Sequence, residues 1–295
     1  MTLNELDAWF NAFLKKEDFA GDPSLNGIQI QNSRPDSLPV TKVAFAVDAC
    51  EATAKAAVAA GAQVLVVHHG LFWGHCQTLT GNFYTRAASL IKNDLALIAY
   101  HIPLDANNPY GNNFGLAAAL GLEKAGPFGY WRGMPIGACG TLPAPVTADA
   151  LATSLSKITK TDCRALAFGK PQIQTVGIIS GGASDDVDQA IELGLDCYIT
   201  GEFAHEQYHL AEECGINVIS GGASDDVDQA IEQGLDCYIT GEFAHEQYHL
   251  AEELGINVIA GGHYGTETMG LSLLKEKVEK ELGLSTIFID LPTNL

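Results

Sequence analysis

A chain of 295 residues that is 47% hydrophobic and 18% charged has the composition of an ordinary globular protein, enough for one large core or two modest ones, which excludes intrinsic disorder. Sixteen Lys and Arg against 36 Asp and Glu give a net charge of -20, a field that repels nucleic acid and anionic lipid, so neither is expected as a partner. No apolar run reaches the roughly 18 residues of a membrane span, and the opening MTLNELDAWFNAFLKKEDFA is acidic and amphipathic rather than leader-like, so a cytoplasmic location is expected.

After that first helix, VAFAV (43 to 47) is β-like, EATAKAAVAAGA is an Ala-rich helix, and QVLVVHHG is a buried strand ending in His68 and His69. NFYTRAASLIKND has apolar residues at helical spacing, and LALIAYHIPLD follows as a strand that leaves the sheet in an extended turn, Pro103 being taken to exclude a helix. This alternation predicts βαβ units on a largely parallel sheet, whose ligands sit at the carboxyl ends of strands. A turn-rich stretch from 107 leads to a short helix, and the Gly- and Pro-dense AGPFGYWRGMPIGACGTLPAPVT places a lobe boundary near residue 125. TADALATSLSKIT is then a helix, ALAFG and TVGIIS are strands, and the chain closes on the helix TMGLSLLKEKVEKELG and the strand STIFIDLP. The expected division is 1–125 with 256–295 as one α/β lobe and 126–255 as the other.

Residues 180–219 and 220–259 agree at 38 of 40 positions, differing only at Leu193 against Gln233 and Cys214 against Leu254. The unit reads helix, strand, helix, strand. Two copies this alike point to a recent or deliberate tandem duplication rather than a solenoid, whose repeats drift and carry caps. The junction INVISGGASDD imitates the entry VGIISGGASDD, so either copy can supply the strands that precede the last helix. The surplus copy has apolar faces that cost free energy in water, and it is expected to pack on a sheet edge or on a neighbouring subunit. The seven cysteines, at 50, 76, 139, 163, 197, 214 and 237, are scattered without a Cys-x-x-Cys pair and are expected to be buried thiols.

Three segments carry candidate ligands at predicted strand ends: His68-His69-Gly70, His101-Ile-Pro-Leu-Asp105, and His263-Tyr-Gly-Thr-Glu267. His263 and Glu267, four apart, share a face if the last helix has already begun. Taken singly each segment is an ordinary cap or turn. Together, His68, His69, Asp105, His263 and Glu267 exceed what one tetrahedral zinc needs and suit two divalent ions sharing a carboxylate, a site that activates water and clamps attacking and leaving oxygens. Zinc, iron and manganese all accept this donor set. His101 and Glu242, or Glu202 if the first copy is the native-like one, are candidate proton carriers at the rim.

GEFAHEQYHLAEE occurs at 201–213 and again at 241–253 and contains His-Glu-x-x-His, the pattern of a zinc-protease helix (His205, Glu206 and His209; His245, Glu246 and His249). Neither copy has the Gly-x-x-His extension of one protease class, so both read as structural helices.

HHGLFWG, HIPLD and GGHYGTET, with PSLNGIQIQ, GNNFGLA and STIFIDLP, resemble the GTP cyclohydrolase 1 type 2 homologue family over all but one 40-residue copy. The resemblance assigns metal to His68, His69, Asp105, His263 and Glu267. It implies two α/β lobes with a dinuclear metal site between them, to which this chain adds the duplicated unit, and a hexameric ring. The expected function is metal-dependent hydrolysis of a small nucleotide-like, phosphorylated or cyclic amide substrate. The alternative is a metal-stabilised scaffold without turnover.

Overall fold

The computed structural model describes residues 1–167, 170–183, 186–201, 217–220, 237–240, 257–260 and 263–292, the three short stretches between 217 and 260 as backbone only. The chain divides into two compact units, Met1–Asn112 with Thr268–Leu291 and Asn113–Glu267 with Pro292–Leu295.

The first unit opens with helix α1 (Leu3–Leu14). Thr2 Oγ1 accepts from Glu5 N while the Glu5 carboxylate accepts from Thr2 N, a capping box, and Lys15 ends the helix in the left-handed region. Leu3, Leu6, Phe10 and Leu14 form its buried stripe. Strands β1 (Gly27–Ile30), β2 (Lys42–Asp48), β3 (Val64–His69) and β4 (Ala96–Ala99) join the late strand β13 (Ser285–Phe288) in the order β1-β4-β3-β2-β13. All neighbours are parallel except β1, which runs antiparallel along β4. Crossover helices α2 (Glu51–Ala59) and α3 (Gly81–Lys92) follow β2 and β3. One sheet face, formed by Ala44, Ala46, Leu65, Val67, Leu97 and Ala99, packs with Ala54, Ala57, Ala87 and Leu90 from these helices. The near-continuous burial of β2, β3 and β4 is that of parallel strands covered on both faces.

Two expectations need correction. Ile102–Ala106 is a short helix, α4, rather than an extended turn. Pro103 lies in its first turn, where the missing N–H has no intrahelical partner to lose. Among the described cysteines Cys163 and Cys197 are buried, but Cys50 and Cys139 are half-buried and Cys76 is exposed, because Cys76 sits on the loop after β3 instead of on a sheet.

Helix α5 (Asn112–Ala119) leads into the second unit. There β5 (Glu123–Trp131) and β6 (Met134–Val146) form a long hairpin, followed by α6 (Ala148–Thr159), β7 (Arg164–Leu166), β8 (Ile173–Ile179), α7 (Val187–Glu192) and β9 (Cys197–Thr200). The pairing is irregular between Glu123 and Gly126 and again between Thr141 and Val146, the stretch that holds Pro143 and Pro145.

The repeat sorts itself by strand pairing. Three further strands follow: β10 (Asn217–Ser220), β11 (Cys237–Thr240) and β12 (Asn257–Ala260). The six-stranded sheet has the order β5-β6-β8-β9-β12-β7. It therefore takes its Cys-Tyr-Ile-Thr strand from the first copy and its Asn-Val-Ile strand from the second, side by side and parallel. The two intervening strands, β10 and β11, pair with each other in a separate parallel ribbon. Because the last helix, α8 (His263–Leu282), must follow its strand directly, β12 is the copy the chain can use there. Residues 202–216, 221–236 and 241–256, where the surplus copy's helices are expected, lie outside the described residues, and so does their expected packing.

Candidate metal centre

His68 and His69 end β3, and His101 immediately precedes α4 after β4. Adjacent parallel strands bring these carboxyl ends together, so the three rings cluster with centroids 4.7 Å (His68 to His69), 5.0 Å (His68 to His101) and 5.7 Å (His69 to His101) apart. Each offers a ligand atom within 4.8 Å of the other two.

Every one of these imidazoles has the same nitrogen engaged. His68 Nδ1 faces the Tyr100 carbonyl at 3.1 Å, His69 Nδ1 faces Asp48 Oδ1 at 2.8 Å, and His101 Nδ1 faces Asp22 Oδ1 at 2.9 Å. A carbonyl or carboxylate oxygen only accepts, so a proton on Nδ1 satisfies these three contacts; His68 Nε2 faces a carboxylate as well, Asp105 Oδ2 at 3.4 Å. This is the outer arrangement that orients metal-binding histidines. The Asp48 partner follows from register, since Asp48 of β2 stands directly beside His69 of β3.

Asp22 is a fully buried side chain with four donors. Oδ1 accepts from Ser24 N and faces His101, and Oδ2 accepts from Asn26 Nδ2 and Ile102 N. Burial pushes its pKa up, but the hydrogen bonds from His101, Asn26 and Ser24 outweigh this and hold the carboxyl below its ordinary value. Sequence pattern singles out neither Asp22 nor Asp48 as a site residue. The only signal is the Asn-Gly-Ile-Gln stretch nearby, whose role the structure makes visible. Asn26 Oδ1 accepts from His101 N at 2.8 Å, while Gln29 Oε1 accepts from Leu71 N and Phe72 N and so fastens the HHGLFWG loop. A Cβ at Gly70 would displace the Gln29 side-chain amide from these bonds.

Asp105, on α4, is buried, with Oδ2 3.4 Å from His68 Nε2. Its Oδ1 accepts from Asn112 Nδ2 at 2.8 Å, and Asn112 Oδ1 in turn accepts from Gly270 N at 2.7 Å. Asn112 thereby fixes one carboxylate oxygen and leaves the other toward the histidine.

In the second unit His263 and Glu267 lie on one face of the first turns of α8, Nε2 to Oε1 3.2 Å. Glu267 is 3% exposed. Gly181, at φ +71, opens the first copy's Gly-Gly turn and lies against this pair: a Cβ there would sit 2.5 Å from Glu267 Oε1 and 3.5 Å from His263 Nε2. Gly181 N donates to Thr266 Oγ1, and Gly181 O accepts from Thr200 Oγ1. Glu202, Glu242 and the histidines of both repeated helices lie outside the described residues.

A family model for Duf34/NIF3 (NGG1p interacting factor 3) matches residues 1–222 and 216–294. The chain belongs to the Duf34/NIF3 family. Its two matches meet within the repeat. Similar curated proteins include the GTP cyclohydrolase 1 type 2 homologs of Treponema pallidum, 41% identical with all of both chains covered, and of Deinococcus radiodurans, 35% identical with 99% of this chain and 94% of the relative covered. Among solved structures the protein ybgI is 27% identical with a TM-score of 0.77, and a Thermus thermophilus protein is 31% identical with a TM-score of 0.78, all of both chains being covered in each case. The reduced HcgD of Methanocaldococcus jannaschii, 22% identical over 99% of this chain and 98% of its own with a TM-score of 0.74, shares the fold. This NIF3 chain thus combines a mixed α/β fold of two sheets with His, Asp and Glu groups able to hold a metal ion. Among the described residues no helix is long and apolar enough to cross a membrane.

Proposed function

We propose that this NIF3 protein binds two divalent cations through His68, His69, Asp105, His263 and Glu267 and hydrolyses a small nucleotide-like, phosphorylated or cyclic amide substrate. The observation that carries the reading is the clustering of the three imidazoles with Nδ1 of each engaged by an oxygen acceptor, the outer arrangement that orients ligating histidines. Mixed imidazole and carboxylate donors suit zinc, iron or manganese, and the Gly181 cradle leaves no room for a side chain against Glu267.

Bound divalent ions would polarise a phosphoryl or carbonyl oxygen and acidify a coordinated water. The protein's own groups supply the rest. Asp48 and Tyr100 O hold two rings in the ligating tautomer, and Asn112 aims Asp105. His101, with Glu242 or Glu202, serves as proton carrier. A homo-oligomer, hexameric by family resemblance, is the proposed assembly. The name borne by the curated relatives, GTP cyclohydrolase 1 type 2 homolog, supports the nucleotide-like substrate among those proposed.

The test is metal analysis joined to a phosphatase and nucleotide-hydrolase screen. Wild type is expected to carry two ions per chain with metal-dependent turnover, and His68→Ala and Glu267→Gln each to fall below two ions and to lose turnover. Two ions per chain retained in both variants sinks the ligand assignment. Metal bound with no turnover across the screen selects the scaffold alternative.

A further inference from the structure

The five-residue ligand set leaves out one of the three clustered imidazoles, and that third ring is held at least as firmly as the other two. His101 Nδ1 is engaged by a carboxylate that is itself wholly buried and accepts three further hydrogen bonds, from Ser24 N, Asn26 Nδ2 and Ile102 N. The His101 backbone N–H is fixed by Asn26 Oδ1. Trp73 packs edge-on to the ring at 5.0 Å with planes at 75°, and its Nε1–H donates to Gly70 O, which anchors the indole. Only 18% of the His101 side chain is exposed. Burying a carboxylate is costly unless it is hydrogen-bonded, and Asp22, met by four donors, is thereby fixed to orient the imidazole it faces. A merely structural histidine needs no second carboxylate-imidazole pair parallel to that of Asp48 and His69.

We propose that the first unit alone holds one divalent transition-metal ion on His68, His69 and His101, with Asp22 as the positioning residue for the third ring. The inference rests on the metal-binding reading above but makes His101 a ligand in place of the proton carrier named there, leaving that role to Glu242 or Glu202. Three neutral imidazole nitrogens select a borderline ion such as zinc or cobalt over magnesium or calcium, which take oxygen donors. All three ligands and all three orienting acceptors (Tyr100 O, Asp48 and Asp22) belong to residues 1–112, so this ion does not depend on His263 or Glu267. One ion would bind without the helix that supplies the other two ligands.

The experiment uses the full-length chain stripped with chelator and reloaded with zinc or cobalt alone. In His263→Ala/Glu267→Gln we expect one ion per chain, with a cobalt d–d spectrum of imidazole coordination. Adding His101→Ala should remove that ion or weaken it by about 10–100-fold, and adding Asp22→Asn should weaken it by about tenfold and shift the cobalt spectrum, which a purely structural role would not do. Far-UV circular dichroism and thermal unfolding of the metal-free forms separate loss of a ligand from loss of the fold; should His101→Ala unfold, the Asp22→Asn result decides. If the double variant keeps its ion and neither further change affects it, His101 is no ligand while the dinuclear reading stands. If the double variant holds no ion although wild type holds two, the independent site is overturned. If wild type binds no divalent metal, both readings fall.

Discussion

Tyr198 stands in parallel register beside Val258, although 60 residues of chain separate them and the same Cys-Tyr-Ile-Thr strand recurs at Cys237. The sheet has thus skipped one whole repeat between two neighbouring strands. Continuity at both ends dictates the choice: β8 feeds the first copy, and α8 hangs from the second.

Excising residues 201–240 should therefore leave the strand order β5-β6-β8-β9-β12-β7 intact. The segment joining β9 to β12 would shorten from 56 to 16 residues (201–256 less 40). Closure entropy alone makes the shorter chain more stable by about 1 kcal/mol. Chemical denaturation of the two proteins measures this, and a shortened chain that fails to fold would show that the surplus ribbon supports the sheet.

Asp48→Asn keeps the size of the side chain while weakening its claim on the His69 Nδ1 proton. Metal affinity is expected to fall about 10–100-fold with little change in apo-protein stability. Competition against a chromophoric chelator reports the first, and apo-protein melting reports the second.

Gly181→Ala should cost at least about 1–2 kcal/mol from the left-handed backbone alone, and its Cβ would push against Glu267 Oε1. Weaker metal binding should accompany the loss of stability. Gly221→Ala, at the matching place in the second copy, is the comparison: an equal effect from it would mean that the first-copy turn is not the one beside Glu267.

Asp196 gives the pH signature of the second unit. It accepts from Lys170 Nζ at 2.6 Å and from the Gln174 and Thr175 backbone N–H groups. Burial raises its pKa, yet Lys170 and the backbone donors prevail and hold it below the ordinary 3.8. A depressed folded pKa contributes stability that is complete above about 3.8 and is lost as pH falls through the folded value. Asp196→Asn should therefore melt lower than wild type at neutral pH, the gap closing in acid. Lys170 is 71% exposed, so Lys170→Ala should cost much less than Asp196→Asn.

Periodicity made most elements of the first unit readable, because apolar runs such as VLVV and ALIA declare buried strands through local pattern alone. Pro103 misled for the same local reason: a breaker inside a helix is harmless in its first turn. His68, His69, Asp105, His263 and Glu267 were nameable because ligand-type residues at strand ends and helix starts are a one-dimensional signal. Asp22 and Asp48 were not, since their function is defined by partners 79 and 21 residues away, reached only through strand order and register. By itself the sequence determined the α/β character, the donor types and the existence of a doubled unit. The tertiary structure alone decided which half of each copy enters the sheet, because two nearly identical segments carry nearly identical local free energies and only their different chain neighbours distinguish them.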